Sequence, residues 1–364
     1  MPGQIGCSSW FGHTQGGALA SKRSRPQQIG REDNAHYQIF QQPYQGKART
    51  GEEIMTTLPQ ISLAKLASDE TRHEEQRRLL LACEEYGFFY LIEHGIPKEQ
   101  IAQAIDASRR FFALPQATKE RYGHAFQDVY PATARGYSPL HGEMLHPEFG
   151  PDPKEMFDLG IDSEGDRRPF AGRTRLPDDE LAPGFARSLL TLQATVLDGV
   201  VPQLGMALAD LLGMEKDWFR RHFSPPTVLQ RVIRYPSTGG AAAKHTDNGF
   251  FTLLLQEELP TRSLQVWFGG RWIPAPSLPD SLVVNLGDML QALSDDRFKS
   301  TPHQVVHRGP AERISLPFFI YPDTDVRLTS HQGKNTFSVA EMMLRNYESI
   351  WEKGNGAGRA RELQ

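Results

Sequence analysis

The sequence is poor in cysteine and has no long apolar stretch. Among its 364 residues only Cys7 and Cys83 are cysteines, which is too few for a disulfide framework, and their spacing makes no metal-binding pair. No apolar run approaches the roughly 20 residues of a membrane-spanning helix, and the first residues lack the charged start and apolar stretch of a secretory signal. We therefore expect a cytoplasmic protein that makes no use of a membrane.

An excess of positive charge is also missing. Lys and Arg together number 40 and Asp and Glu 44, which leaves a formal net charge of −4. Because dedicated nucleic-acid binders need clustered cations facing phosphates, this balance argues against that class. The 39% hydrophobic and 10% aromatic content is enough for a sizeable core. The composition leaves an enzyme or a small-molecule-binding protein, for which we expect a monomer.

Composition and periodicity divide the chain into four parts. Residues 1–54 are rich in Gly, Gln, Ser, Arg and Lys without helical or strand periodicity, which predicts a flexible tail. Residues 55–180 predict a helical layer with a long loop. Residues 181–227 predict a long helical connector, interrupted at Pro202. Residues 228–364 predict a β domain followed by a terminal helix.

Local signals set the elements of the second part. The stretch from Thr71 to Glu74 has the form of a capping box, which predicts the start of a helix that ends at Gly87. The apolar run Phe88–Ile92 predicts a strand, and Pro97 fits the first turn of a second helix. The segment from Gly123 to Pro153, rich in Gly, Pro and His, predicts a long loop that could serve as a lid.

The C-terminal part consists of short apolar runs at even spacing, separated by Gly, Pro and Asp. This texture is typical of an antiparallel sandwich or barrel. The predicted strands are Val228–Tyr235, Phe250–Leu255, Leu264–Phe268, Leu282–Leu286, His303–His307 and Arg313–Tyr321, and Val339–Trp351 is the predicted last helix.

Three residues form a candidate metal site. In an extended segment residues i and i+2 share a face, so His245 and Asp247 can converge on one point. His303, in the word Lys-Ser-Thr-Pro-His, can supply a third ligand. Two histidines and one carboxylate leave open positions on a metal, the arrangement of non-haem iron oxygenases. His307 competes with His303, since i+4 in a strand keeps the same face, but the sequence context favours His303.

A second pair lies ten residues beyond His303. Arg313 and Ser315 repeat the i, i+2 spacing with a guanidinium and a hydroxyl. An arginine beside a serine can hold the distal carboxylate of a co-substrate, the arginine by a two-pronged, charge-assisted contact. Together with an open metal site, this pair indicates a 2-oxo acid bound to iron.

These motifs occur in one order along most of the chain, and the series resembles the iron(II)- and 2-oxoglutarate-dependent dioxygenases of the isopenicillin N synthase-like family. The matching words are Pro59-Gln-Ile-Ser-Leu63, Tyr86-Gly-Phe-Phe-Tyr-Leu-Ile-Glu-His-Gly95, Lys154-Glu-Met-Phe157, Arg231-Val-Ile-Arg-Tyr235-Pro, His245-Thr-Asp247, Leu264-Gln-Val266, Leu282-Val-Val-Asn-Leu-Gly-Asp288, Lys299-Ser-Thr-Pro-His303 and Arg313-Ile-Ser315.

The resemblance implies an α+β, mainly β fold: a double-stranded β-helix (a distorted jelly roll) flanked by N-terminal and C-terminal helices. It implies that His245, Asp247 and His303 hold Fe(II). It also implies that Arg313 and Ser315, helped by Tyr235, bind the far carboxylate of 2-oxoglutarate. O2 would be the second co-substrate and ascorbate a stimulating reductant.

The sequence departs from the family pattern at two positions. The family often has Asn two residues before the tyrosine, near the other end of the co-substrate, where this chain has Ile233. Arg231 or a water could then steady the near carboxylate. Gly usually precedes the Leu-Gln-Val word, where this chain has Ser263.

Other interpretations stay open at this point. The chain could be an oxidase that, like isopenicillin N synthase, consumes no 2-oxoglutarate; a zinc hydrolase, since the same ligands suit zinc; or an inactive binding protein. Hydroxylation, desaturation and cyclisation of a small molecule would share the iron site. Two groups of residues receive ordinary structural interpretations: Asn285 and Asp288 as turn residues, and His141, His146, His222 and His331 as hydrogen-bonded core or surface histidines.

Overall fold

The structure is a computed structural model, and its described residues all belong to the unit Gln45–Gln364. They are residues 58–123, 128–129, 135–162, 165–166, 168–237, 239–259 and 261–351. The predicted tail, residues 1–54, lies outside the described residues. Within the described part, no helix combines the length and apolar character that crossing a bilayer requires.

Strands and helices alternate in the first half, and strands dominate the second. The strands are β1 (Gln60–Ser62), β2 (Phe88–Ile92), β3 (Asp128–Val129), β4 (Gly136–Ser138), β5 (Glu155–Leu159), β6 (Gly172–Arg173), β7 (Thr227–Tyr235), β8 (Ala241–His245), β9 (Phe251–Gln256), β10 (Leu264–Phe268), β11 (Arg271–Pro274), β12 (Ser281–Leu286), β13 (His303–Val306), β14 (Arg313–Tyr321), β15 (Arg327–Thr329) and β16 (Thr336–Ser338). The α-helices are α1 (Leu63–Ala67), α2 (Arg72–Leu81), α3 (Lys98–Phe112), α4 (Gln116–Glu120), α5 (Phe185–Thr195), α6 (Val201–Leu211), α7 (Trp218–His222), α8 (Asp288–Leu293) and α9 (Val339–Trp351).

Helix α2 begins after Thr71 as predicted, but the predicted capping-box bond is wrong. Thr71 makes no side-chain cap, because its hydroxyl donates to the carbonyl of Lys65 at 2.9 Å. The helix continues as a π-turn, Ala82–Tyr86, and ends at Gly87 with φ 62°. A Cβ at Gly87 would lie 2.0 Å from the carbonyl oxygen of Lys299. Glycine therefore lets this turn pack directly against the segment that leads to His303.

The predicted loop from Gly123 to Pro153 is partly wrong. It contains β4, which pairs with β5, and a 3-10 turn at Pro147–Phe149. All three residues of β4 are buried. A three-residue strand is too short for a periodic signal, and its place is set by the neighbouring strand rather than by its own sequence.

The helical connector has its interruption slightly earlier than predicted. Helix α5 continues into a π-turn at Val196–Val200, and α6 then begins with Pro202 in its first turn. The chain stays helical through this point, because Val200 and Val201 have right-handed helical angles and the N–H of Val201 donates to the carbonyl of Val196. The π-turn therefore lies directly before the proline, which has no N–H to continue the series.

Two mainly antiparallel sheets face each other, and the larger also takes in four strands of the N-terminal half. The larger has the order β1-β2-β12-β9-β14-β7-β5-β4, in which only the β1–β2 pair is parallel. The smaller has the order β11-β10-β13-β8. Each of the six predicted strands is present within one or two residues of its predicted ends. Strands β8 and β11 were not predicted, and β8 carries the first metal-ligand candidate.

Side chains of both sheets meet in one core cluster. The larger sheet contributes Met156, Ile233, Tyr235 and Val283, and the smaller contributes Ala242, Leu264, Val266 and Val305. On β7 the residues alternate, so that Ile233 and Tyr235 face the core while Arg234 between them pairs with Glu155 and Glu312. The inner face of β7 is thereby directed at the space between the sheets.

Candidate active site

A cavity of about 340 Å³ lies between the two sheets. Alternate residues of the paired strands β7 and β14 line it as one continuous wall. The wall consists of Leu229, Arg231, Ile233 and Tyr235 from β7 and of Arg313, Ser315, Pro317 and Phe319 from β14. Residues of the segment 143–146 and of helix α9 also line the cavity. All six residues singled out from the sequence border this space.

The three predicted metal ligands converge at this cavity. His245 ends β8, His303 begins β13, and the two are register partners across the smaller sheet. The Nε2 atoms of both histidines lie 3.7 Å from Oδ1 of Asp247. The ligand atoms of all three residues lie within 4.8 Å of one another. A single ion can therefore contact all three side chains.

Each of the two histidine rings is held by a backbone carbonyl at Nδ1, the ring nitrogen that does not face Asp247. Nδ1 of His245 lies 2.6 Å from the carbonyl oxygen of Ala243, and Nδ1 of His303 lies 3.2 Å from that of Thr301. A proton on Nδ1 satisfies each carbonyl and leaves Nε2 as the acceptor, the tautomer that a metal needs.

The carboxylate of Asp247 is oriented in the same manner. Its Oδ2 accepts hydrogen bonds from the Thr252 hydroxyl at 2.5 Å and from Nδ2 of Asn285 at 2.7 Å. These two donors occupy one oxygen and leave Oδ1 facing the histidines. Orientation of this kind, from outside the ligand set, is typical of protein metal sites.

The surroundings of His245 and Asp247 shift their pKa values towards the protonation states that bind a metal cation. Burial and the charge of His303 lower the pKa of His245, so its ring is neutral at pH 7. Burial opposes ionisation of Asp247, but the neighbouring rings of His303 and His245 and the hydrogen bonds from Thr252 and Asn285 outweigh it and lower the pKa of that carboxyl. A neutral imidazole and an ionised carboxylate are the forms that coordinate metals. The donor set of two imidazoles and one carboxylate fits Fe(II) with positions left open.

Arg313 lies on the same wall with an unusual lack of partners. It is 2% exposed, its guanidinium is 5.1 Å from the centre of the Tyr235 ring, and Nη2 donates to Oε1 of Gln256 at 2.8 Å. Nη1 is buried and has no hydrogen-bond partner among the described residues. Burial lowers the pKa of this guanidinium. Ser315 lies two residues further along β14, opposite Ile233.

A group of five buried charged residues, which we term the ion-pair wall, lies beside β7, and Glu143, Lys154 and Arg231 of this group line the cavity. The group consists of Arg231, Asp158, Glu143, Lys154 and Asp152. Nε and Nη2 of Arg231 donate to the two oxygens of Asp158 at 2.7 and 2.9 Å, and Nη1 donates to Oε1 of Glu143 at 2.9 Å. Nζ of Lys154 lies 2.7 Å from Oε2 of Glu143 and 3.2 Å from Oδ2 of Asp152. Two cations thus face three carboxylates in this group.

Two interpretations made from the sequence can be decided at this site. His307 is not a ligand, because its Nδ1 is paired with the Ser263 hydroxyl at 2.9 Å and its Nε2 with the carbonyl of Ala311 at 2.8 Å. The choice of His303 over His307 is therefore confirmed. The interpretation of Asn285 as a turn residue is wrong, since it lies in β12 and orients Asp247.

The sequence reasoning also missed several residues that shape the site. Thr252, Glu143 and Lys154 were given no role. Asn285 could have been found, because it is a polar residue on the inner face of an otherwise apolar strand. Glu143 carries no such signal, because it lies in a segment without periodicity.

Comparison with known proteins identifies the class. Residues 58–179 match the family described as non-haem dioxygenase in morphine synthesis N-terminal, and residues 226–322 match the 2OG-Fe(II) oxygenase superfamily. The chain is 31% identical to a 2-oxoglutarate-dependent dioxygenase of Phoma sp, over 85% of this chain and 97% of that protein. It is 30% identical to a probable iron/ascorbate oxidoreductase of Dictyostelium discoideum, over 76% of this chain and 84% of that protein.

A solved structure supports the fold. A Neurospora crassa protein crystallised with alpha-KG (2-oxoglutarate) and thymine aligns with a TM-score of 0.68 at 22% identity, over 80% of this chain and 96% of that one. The predicted double-stranded β-helix is therefore confirmed.

The chain belongs to the 2OG-Fe(II) oxygenase superfamily, in its isopenicillin N synthase-like branch. It is an Fe(II)- and 2-oxoglutarate-dependent dioxygenase, with His245, Asp247 and His303 as the iron ligands. The roles predicted for Arg313, Ser315 and Tyr235 stay predictions.

Proposed function

We propose that the protein couples oxidative decarboxylation of 2-oxoglutarate to hydroxylation, desaturation or ring closure of a small-molecule substrate. For hydroxylation, one O2 and one 2-oxoglutarate are consumed, and succinate, CO2 and a hydroxylated product are formed. The observation that carries the proposal is that one cavity joins an open set of iron ligands to a buried arginine with an unpaired donor.

Arg313 is the proposed anchor for the far carboxylate of 2-oxoglutarate. A buried guanidinium with an unpaired N–H is unfavourable unless a ligand supplies the acceptor. Ser315 is on the same face of β14 and Tyr235 is the register partner of Arg313, so a hydroxyl from each strand accompanies the guanidinium. This combination of one cation and two hydroxyls suits a carboxylate.

The iron, when bound, supplies the redox chemistry with O2. The side chains of this protein bind and orient. Thr252 and Asn285 hold Asp247 in one orientation, and the backbone carbonyls of Ala243 and Thr301 hold the two imidazoles. The buried wall of β7 and β14 keeps bulk water away from the co-substrate.

A small organic molecule is the substrate class that fits the space. A cavity of about 340 Å³ lies at the lower end of the range for small-ligand sites, and it must also hold 2-oxoglutarate. Phe170, Tyr321 and Tyr347 contribute aromatic faces to its lining, and Asn248 and Asn346 contribute amides. The Neurospora crassa relative contains thymine, a planar molecule with polar edges, which agrees with this lining.

The test is a substrate screen with a stoichiometric readout. The protein is reconstituted anaerobically with Fe(II), supplied with ascorbate, 2-oxoglutarate and a library of small metabolites, and followed by oxygen uptake. We expect at least one compound to stimulate uptake, with succinate and oxidised product formed in equal amounts. Oxidised product without succinate would instead identify an oxidase that does not consume 2-oxoglutarate. Activity restored by Zn(II) and not by Fe(II) would contradict the proposal.

Three further predictions remain from the sequence alone. The protein is expected to be cytoplasmic because of its cysteine usage. It is expected to be a monomer, which light scattering would test. Residues 1–54 are expected to be a flexible tail, which limited proteolysis would test.

A further inference from the structure

Ile233 stands where the family often has Asn, so position 233 offers no hydrogen-bond donor to the near carboxylate of 2-oxoglutarate. A different residue could supply that donor. Ile233 is 7% exposed and lines the cavity, but it has no hydrogen-bond donor. Of the two candidates from the sequence, Arg231 is engaged on all three of its nitrogens by Asp158 and Glu143. The other cation of the ion-pair wall is Lys154.

Lys154 lies on the strand next to Ile233 and on the same face. In the β5–β7 pair, Glu155 is opposite Arg234 and Met156 is opposite Ile233. Lys154 comes one residue before Glu155, so by alternation it shares the inner face with Met156. It is 2% exposed and lines the same cavity as Ile233, Tyr235 and His245.

The ammonium group of Lys154 keeps one donor unused. It has three N–H donors. One donates to Oδ2 of Asp152 at 3.2 Å. Nζ also lies 2.7 Å from Oε2 of Glu143, an ion pair in which that oxygen has no hydrogen-bond partner among the described residues. Both of these carboxylates have further partners. Glu143 accepts from Arg231, and Asp152 accepts from the backbone N–H groups of Ala243 and Leu145. Lys154 is therefore held in place by groups that are themselves fixed.

Lys154 lines the same cavity as the groups at both ends of the expected co-substrate site. These groups are the three metal ligands at one end and Tyr235, Arg313 and Ser315 at the other. Burial raises the pKa of the Tyr235 hydroxyl, and the Lys154 ammonium opposes that shift.

We propose that Lys154 is a positioning residue whose free N–H donates to the near carboxylate of 2-oxoglutarate, in place of an amide at position 233. This inference rests on the proposed function, in which Arg313 holds the far carboxylate. Glu143 and Asp152 then have a defined task, which is to fix the ammonium so that little side-chain entropy is lost when the co-substrate binds.

The test compares two 2-oxo acids on the anaerobic Fe(II) protein, so that binding is measured without turnover. 2-Oxoglutarate has both carboxylates, whereas 2-oxobutyrate has only the one next to the keto group. Their dissociation constants are measured by calorimetry and by the visible absorption of the iron-bound 2-oxo acid. The variants are Lys154→Met, the charge-matched double variant Lys154→Met/Glu143→Gln, and Arg313→Lys. Lys244→Met is the control, because Lys244 is an exposed lysine of the same cavity.

We expect both Lys154 variants to raise the dissociation constants of the two acids by the same factor, about ten- to a hundredfold, as for loss of one charge-assisted hydrogen bond. Arg313→Lys should weaken 2-oxoglutarate alone, and Lys244→Met should weaken neither acid. Unchanged binding of 2-oxobutyrate by the double variant would overturn the inference. Loss of the folded state in both Lys154 variants would overturn it too, since it would assign Lys154 a purely structural role. Failure of the unaltered protein to bind 2-oxoglutarate would instead refute the proposed function.

Discussion

Two buried arginines lie on the same inner face of the larger sheet, and they differ in their partners. Arg231 is enclosed by Asp158 and Glu143, which accept from all three of its nitrogens. Arg313 has no carboxylate partner: its neighbours are the neutral Gln256 and Tyr235, and its buried Nη1 has no hydrogen-bond partner in the described part of the chain. A buried charge is costly unless it is paired, so we propose that the first arginine has a structural role and that the second binds an anion.

His303, at the start of β13, and His307, directly after its end, differ in the same way: one has a ring nitrogen without a donor or acceptor among the described residues and the other has none. His307 has both ring nitrogens paired within the protein, whereas His303 has only Nδ1 paired and directs Nε2 at Asp247. Residue type and burial are alike within each pair. Hydrogen-bond pairing, and not residue type or burial, therefore distinguishes His303 from His307 and Arg313 from Arg231.

The largest expected effect would test the histidine pair. His303→Ala should abolish iron binding and succinate formation, and His245→Ala and Asp247→Ala should do the same, because two ligands hold the ion poorly. His307→Ala is the control, and it should keep stoichiometric iron while losing about 1–3 kcal/mol of stability from unpaired buried groups. Metal analysis after anaerobic reconstitution provides the measurement. Iron retained by His303→Ala, or lost by His307→Ala, would contradict the assignment.

The arginine pair gives the next largest effect. Arg313→Lys should raise the apparent constant for 2-oxoglutarate about ten- to a hundredfold, because an ammonium cannot reproduce the two-pronged contact. Succinate formation at varied 2-oxoglutarate concentration provides the measurement.

Arg231→Lys is the matched control for that experiment. Its main effect should be on stability, since it breaks the paired contact with Asp158, and its thermal midpoint should fall further than that of Arg313→Lys. An unchanged 2-oxoglutarate constant in Arg313→Lys would remove Arg313 as the anchor.

A smaller effect is expected from Asn285, which orients a ligand without touching the metal. Asn285→Ala should weaken iron binding about ten- to a hundredfold while leaving the fold intact, and Thr252→Val should act in the same direction. Asn335→Ala, at an asparagine whose amide donates to Ala292 and Asp295, is the control and should leave iron affinity unchanged. Competition with a chelator measures the affinity. Equal iron affinity in Asn285→Ala and the unaltered protein would show that Asp247 needs no such support.

The last effect concerns the paired side of the comparison, and it appears only at low pH. Burial opposes ionisation of Glu143, but Arg231 and Lys154 outweigh it and lower its pKa from 4.5 to about 2. A carboxyl with a depressed pKa stabilises the fold above its unfolded pKa and loses that contribution as pH falls towards the folded value. Glu143→Gln should therefore show a shallower loss of unfolding free energy between pH 4.5 and pH 2, by up to about 1.4 kcal/mol per pH unit. Urea denaturation at stepped pH measures the slopes, and equal slopes would refute the pairing.

Patterns among neighbouring residues were enough to predict six strands and the first two metal ligands. The six predicted strands were found because apolar alternation is a property of a few neighbouring residues. His245 and Asp247 were found because their spacing of two is set within one extended segment. Strand β8 was missed because its sequence, Ala-Ala-Ala-Lys-His, has no β-branched or aromatic residue, and it is a strand only because β13 pairs with it.

The ion-pair wall could not be predicted in the same way. Its members come from positions 143, 152, 154, 158 and 231, and β5 must pair with β7 in one register before Asp158 can reach Arg231. The pairing of β4 with β5 is equally dependent on the neighbouring strand. Contacts between residues so far apart along the chain leave no periodic signal.

The sequence by itself determined the inventory of chemical groups and their order: two imidazoles and a carboxylate at short or readable spacing, and an arginine with a serine two residues later. Tertiary structure decided which of several similar groups stay free. A buried nitrogen or oxygen is satisfied or unsatisfied according to the neighbours that other strands bring within hydrogen-bond distance, and those neighbours are set by register and packing.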